Sequence, residues 1–179
     1  MPGSITVERP PLLHRPGSAF GAGNGLLRAE HFQMAWATND LDHARALMSE
    51  RLGIHSWTPI GGPNPQGGET QVLLAWLGTM MYELITSSGP GSGIIMDRLP
   101  AGDGFAMKHH HLGYLIADEA EWQALEAETA RAGFAMPHKS VNAGFITSCF
   151  VDVPELGHHL EYIMPEPAGI DFFNSVARN

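Results

Sequence analysis

Three pairs of residues stand at one spacing: Gln33 and His111, Asp40 and Asp118, and Glu83 and Glu161, each 78 positions apart. The pairs include an imidazole and two carboxylates, the side chains that ligate metals and move protons near neutral pH. Each pair also occupies the same place in a local pattern. Residues 33–40 read as a strand running into a helix cap, and residues 111–118 read the same way. Glu83 sits in Tyr82-Glu83-Leu84-Ile85 and Glu161 in Leu160-Glu161-Tyr162-Ile163. Three registers at one offset mark an internal duplication. Covalent catalysis has little support. The single cysteine, Cys149, has no helix N-terminus beside it, and no serine sits beside a histidine and an acid.

The elements that carry these residues follow from periodicity and punctuation. Residues 30–38 alternate like a strand, which puts His31, Gln33, Ala35 and Ala37 on one face and Phe32, Met34 and Trp36 on the other. Asn39 and Asp40 cap a helix with the apolar stripe Leu41, Ala44, Leu47, Met48, Leu52, and Gly53 stops it. A short strand is expected at 55–59, a glycine- and proline-rich loop at 61–70, and a hairpin of 71–77 and 79–86 about Gly78. The second half repeats the order. A strand at 109–117 places His109, His111 and Gly113 on one face and His110 on the helix side, with His158. Asp118-x-x-Glu121 opens a helix at 119–132 as a capping box, Gly133 ends it, and strands follow at 134–141, 145–151 and 157–164.

The chain thus divides into an extension at 1–29, a βαβββ module at 30–86, a linker at 87–107, a second βαβββ module at 108–164 and a tail at 165–179. Residues 1–27 show no clean period and read as a loose arm. Phe172-Phe173 should dock on the body or on a neighbouring chain. The expected fold is α+β: two tandem βαβββ modules forming a curved, eight-stranded mixed sheet around a cleft, with the helices outside.

Composition narrows the partners. Apolar residues make up 44% of 179 residues and charged residues 16%, so the chain is globular. A net charge of −9 and the lack of a basic cluster argue against nucleic acid and anionic membranes. No stretch approaches the roughly 18 apolar residues of a membrane span. One cysteine and no signal-like N-terminus point to a cytoplasmic protein.

The stretches Gln33…Asp40-Leu41, Leu52-Gly53-Ile54, Glu83-Leu84, His110-His111-Leu112…Asp118 and Gly157-His158-His159-Leu160-Glu161-Tyr162 resemble the vicinal oxygen chelate superfamily. That superfamily includes glyoxalase I, methylmalonyl-CoA epimerase, extradiol dioxygenases and antibiotic-resistance proteins. The likeness covers residues 30–164, and Glu83-Leu84 before a Gly/Ser/Pro linker is closest in pattern to the epimerase-like branch. The resemblance implies a divalent metal held by Gln33, Glu83, His111 and Glu161, with His31 as an alternative to Gln33. It also implies a homodimer and a small-molecule substrate with two vicinal oxygens.

Such a mixed nitrogen and oxygen set suits zinc, manganese, cobalt, nickel or ferrous iron. Glu83 and Glu161 would be the catalytic carboxylates, one of them removing a proton next to a carbonyl. His31, His109 and His159 are expected to line the pocket. The leading function is a metal-dependent isomerase, epimerase or lyase acting on a small organic acid, thioester or oxygenated ring. An extradiol-type ring-cleaving dioxygenase and a metal-free drug-binding resistance protein are the alternatives.

Overall fold

Two aspartates start the two main helices as their positions demand. Asp40 accepts a hydrogen bond from the His43 N–H at 2.9 Å, and Asp118 accepts one from the Glu121 N–H at 2.9 Å. Glu121 reaches back to the Ala117 N–H, completing the reciprocal cap. Gly53 and Gly133 end these helices at φ of 77° and 73°, the left-handed region where a side chain is costly.

The computed structural model describes residues 12–179. Its elements are β1 (Glu30–Thr38), α1 (Leu41–Leu52), β2 (Thr58–Pro63), β3 (Glu69–Leu77), β4 (Met80–Ser88), α2 (Gly93–Met96), β5 (Met107–Leu115), α3 (Glu119–Ala132), β6 (Ala135–Asn142), β7 (Ile146–Val153), β8 (His158–Pro165) and α4 (Pro167–Ser175). The strands form one curled, eight-stranded mixed sheet in the order β2-β3-β4-β1-β5-β8-β7-β6. Each half has parallel first and fourth strands, and the halves join antiparallel through β1 and β5. The two halves therefore pair within one chain.

The 78-residue offset runs through the pairing itself. Gln33 pairs with Met81 and Ala35 with Glu83; His111 pairs with His159 and Gly113 with Glu161. The convex face of the sheet carries α1 and α3. Ala44 and Met48 of α1 pack with Leu84 and Trp36, and Trp122 and Leu125 of α3 pack with Tyr114, Leu160 and Tyr162. The short α2 and α4 lie instead against the concave face. Ile95 of α2 packs at its Ala37 end, and Phe172 and Phe173 of α4 pack at its Phe32 end.

Several boundaries differ from expectation, each for a local reason. β2 runs through Gly61, Gly62 and Pro63 because it is an edge strand, where a missing side chain or N–H leaves no inner ladder broken. At Gly61 a Cβ would lie 2.5 Å from the Thr70 carbonyl oxygen, so the close approach of β3 requires glycine there. β5 begins at Met107, earlier than expected.

The tail extends the edge of β3. Trp76 donates its backbone N–H to Ala177 O at 2.8 Å and its ring N–H to Phe173 O at 2.9 Å. Within the expected loose arm, residues 1–11 lie outside the described residues. The part from Phe20 onward is not loose. Leu26 and Ala29 are buried in the α3 core cluster, with Phe20 packed against it, and Leu26 O accepts from the Tyr162 hydroxyl at 2.8 Å. Gly23 and Gly25 donate their N–H groups to the Glu128 carboxylate, which also pairs with Arg131. No helix among the described residues is long and apolar enough to cross a membrane.

Arg131, and then the Gly23 N–H, pull the Glu128 carboxyl from its ordinary 4.5 down to about 2. A depressed acid stabilises the fold above its unfolded pKa and loses that effect as pH falls through the folded value. The stability gap between wild type and Glu128→Gln should therefore close as pH falls from about 4.5 to about 2. At neutral pH the Gly23 and Gly25 amides of the variant should exchange faster with solvent. A separate prediction concerns the tail. Truncation after Pro165 should expose the face made by Phe32 and Trp76, read as new binding of a hydrophobic dye and a lower melting temperature.

Candidate metal centre

The central β1–β5 pair sets where the reactive side chains stand. Gln33 faces Gly113, and His111 faces Ala35. Each large polar residue thus meets a small one on the neighbouring strand. A Cβ at Gly113 would lie 2.5 Å from Gln33 Oε1 and 2.8 Å from its Cβ, so glycine is what admits the amide. From the flanking parallel strands, Glu83 and Glu161 project onto the same concave face.

Glu83, His111 and Glu161 converge with one ligand atom of each within 4.8 Å of the others. His111 Nε2 is 3.0 Å from Glu161 Oε2 and 3.9 Å from Glu83 Oε2. Gln33 joins them by donating its Nε2–H to Glu83 Oε2, which leaves its own Oε1 without a partner. All four residues are largely withdrawn from solvent, and among the described residues no lysine or arginine pairs with Glu83 or Glu161.

Two β-bulges correct the expected strand faces. In β1 the pairing skips Phe32, and in β5 it skips His110. These residues are themselves 78 positions apart. An extra residue lets two successive side chains share one face and reverses the alternation beyond it. Phe32 therefore joins Gln33 on the concave face, and His31 is turned outward, where it is exposed and stacks on Tyr114 at 5.1 Å. His31 is thus not an alternative to Gln33.

In β5, His110 joins His111 on the concave face. His109 turns to the convex face, between Trp36 at 5.8 Å and His158 at 4.6 Å. His109 is not a pocket residue, and His110 does not point to the helix side. His159 does lie on the concave face, where its Nδ1 is 3.4 Å from Asp152, which also pairs with Arg98.

His110 was not anticipated by the sequence, and its contacts fix the chemistry of His111. His110 Nε2 is 2.9 Å from Ile94 O, and His110 Nδ1 is 2.8 Å from His111 Nδ1. A carbonyl oxygen only accepts, so His110 must donate from Nε2. A neutral imidazole then has only an acceptor at Nδ1. His110 is neutral, since burial, and then His111, push its pKa down to about 3. His111 Nδ1 must consequently carry the proton. That leaves a lone pair on His111 Nε2, 3.0 Å from a carboxylate oxygen. A lone pair and a carboxylate repel unless a cation lies between them, whether a proton or a metal ion.

The electrostatics agree with that requirement. Burial first, and then Glu161, raise the Glu83 carboxyl to about 7 against the opposing pull of His111 and the Gln33 hydrogen bond. Burial alone would lower His111, but Glu161 and Glu83 outweigh it and the net shift is upward. Both shifts favour a bound proton, the first mainly through burial and the second through the two neighbouring carboxylates. Imidazole nitrogen with carboxylate oxygens suits a divalent ion of the first transition row. The residues therefore fit a resident metal. Cys149 stays outside this chemistry, its thiol buried and pushed up to about 12, first by burial.

No family model matches the chain, and no curated protein shows significant sequence similarity to it. Solved structures do match in shape. Methylmalonyl-CoA epimerase from Mycobacterium tuberculosis superposes with a TM-score of 0.51 at 15% identity, covering 81% of this chain and 93% of that one. A methylmalonyl-CoA epimerase in complex with methylmalonyl-CoA and NH4+ gives 0.52 at 17%, covering 78% and 96%. A mutant of 4-hydroxymandelate synthase from Streptomyces coelicolor gives 0.51 at 14%, covering 84% of this chain and 49% of that one. These proteins share the vicinal oxygen chelate fold, and this chain has it too.

The His110 contacts make a specific prediction. His110→Phe keeps the ring and removes the acceptor for His111 Nδ1–H. Zinc affinity, measured by competition with a chromogenic chelator, should fall roughly ten- to a hundredfold, the usual effect of losing such a supporting contact. An unchanged affinity would mean that His110 does not orient His111.

Proposed function

We propose that this protein is a metal-dependent isomerase, epimerase or lyase that moves a proton next to a carbonyl group. The observation that carries the reading is the buried convergence of Glu83, His111 and Glu161 beside an apolar cavity. His111, Glu83 and Glu161 would hold the ion, with Gln33 in support. The ion, zinc, manganese, cobalt, nickel or ferrous iron, would supply Lewis acidity toward two substrate oxygens.

The chain's own residues divide the remaining work. Glu83 is tied down by Gln33, which suits it to hold charge in place. Glu161 has no amide donor of that kind, its close neighbour being His111 Nε2 at 3.0 Å, and it is the more exposed of the two, with 13% of its side chain accessible against 7%. Glu161 is therefore assigned the proton transfer, and both carboxylates border the cavity where a substrate carbon would sit. His110 keeps His111 in the tautomer that leaves Nε2 free. The apolar walls exclude water and strengthen each electrostatic contact. The fold neighbours include a methylmalonyl-CoA epimerase, which is consistent with proton transfer beside a carbonyl.

An extradiol-type dioxygenase would need two imidazoles and one carboxylate on its ion. Among the described residues the three converging donors are one imidazole and two carboxylates. The imidazole next in line, His159, sits against Asp152. The donor set thus favours the proton-transfer reading.

Glu161→Gln keeps the shape and removes the base. It should retain metal while losing about two orders of magnitude or more in proton–deuterium exchange at the carbon next to a ketone carbonyl in heavy water. Glu83→Gln should lower metal content, and His111→Ala should abolish metal binding and lower the melting temperature. Undiminished exchange in Glu161→Gln would remove that residue from the mechanism. Stoichiometric oxygen uptake would reinstate the dioxygenase.

A further inference from the structure

The cavity beside the cluster limits what can be bound. It measures about 200 Å³ and is walled by Ile60, Val72, Leu74, Ile163, Phe172 and Phe173. Of its polar residues, Gln33, Glu83 and Glu161 belong to the metal centre and Thr70 is the fourth, and among the described residues no lysine or arginine lines it. A charged group on the body of a substrate would lose its hydration there with nothing to pair it. Size is equally restrictive. An apolar cavity of about 150 Å³ accommodates benzene, whereas drug-sized ligands occupy roughly 300–1,000 Å³.

The walls are also fixed. Phe173 packs edge-on to Phe32 at 5.8 Å, and its carbonyl accepts from the Trp76 ring N–H. Gly169 brings α4 so close to β7 that a Cβ would lie 2.4 Å from Phe145 O. α4 therefore forms a close-packed wall of the cavity.

We infer that the substrate is a compact carbonyl compound whose body is a single uncharged aromatic ring or a branched apolar group of similar size. The body lies between β3 and α4, and the oxygens point toward Glu83 and Glu161. A CoA thioester would have to leave its nucleotide outside this cavity, with no lysine or arginine among the lining residues to pair its phosphates. The inference names the substrate class of the proposed site and so rests on that reading.

The test uses para-fluoroacetophenone, an uncharged aryl ketone, followed by fluorine NMR with the full-length protein. The titration is run first without metal, so that ring binding is read separately from metal binding. The resonance should shift and broaden with wild type, and affinity should fall tenfold or more in Val72→Trp, which fills the cavity from β3. Ile60→Phe, on the edge strand, gives an independent block if Val72→Trp does not fold. Propionyl-CoA should fail to displace the ketone. Equal affinity for wild type and the filled variants, no binding to wild type, or displacement by propionyl-CoA would each overturn the substrate class. Zinc uptake, measured in parallel on wild type and His111→Ala, decides the metal reading on its own.

Discussion

Everything at the centre of this molecule depends on how β1 and β5 run past one another. They form the hydrogen-bonded strand pair that joins the two halves, and Gln33 and His111 stand on it, each opposite a small residue. A straight antiparallel pair would give Gln33 and His111 strictly alternating neighbours. The bulges at Phe32 and His110 change that by adding one inward side chain immediately before each. The added residues have opposite characters. Phe32 extends the apolar wall toward Phe173, and His110 extends the polar side toward His111. The same backbone irregularity, repeated 78 residues on, thus builds two unlike halves of one cleft.

The second constraint is charge. Two carboxylates and an imidazole, largely withdrawn from solvent, share a space where no arginine or lysine among the described residues pairs with them. Buried ions are tolerated when paired, and an unpaired one costs several kcal/mol. Here both shifts favour the protonated forms, with burial driving that of Glu83 and the two carboxylates outweighing burial at His111. The same groups are the ones whose charge a divalent ion would match.

The sequence showed more of the architecture than of the site. The aspartate caps, the stopping glycines and the common offset were local signals, and the helices, the sheet and its curvature followed from them. β2 was obscured because glycine and proline at a sheet edge read the same as glycine and proline in a loop. The docking of residues 20–29 was invisible because its anchor, Glu128, lies more than a hundred residues away. The bulges were the costliest omission. Nothing in residues 107–115 states which histidine is the supernumerary one. Simple alternation therefore sent His31 and His109 into the cleft and His110 out of it, the reverse of what is found.

The run His109-His110-His111 acquires a meaning from this. A β-strand that loses a bulge slips by one residue, and every side chain beyond the slip changes sides. Such a slip normally destroys a site. Here a straightened β5 would rotate His110 outward and bring His109 inward, so an imidazole would still face the cleft on the approach to His111. Three identical residues in a row make this stretch degenerate in reading frame: kinked or straight, the strand turns an imidazole toward the cleft ahead of His111.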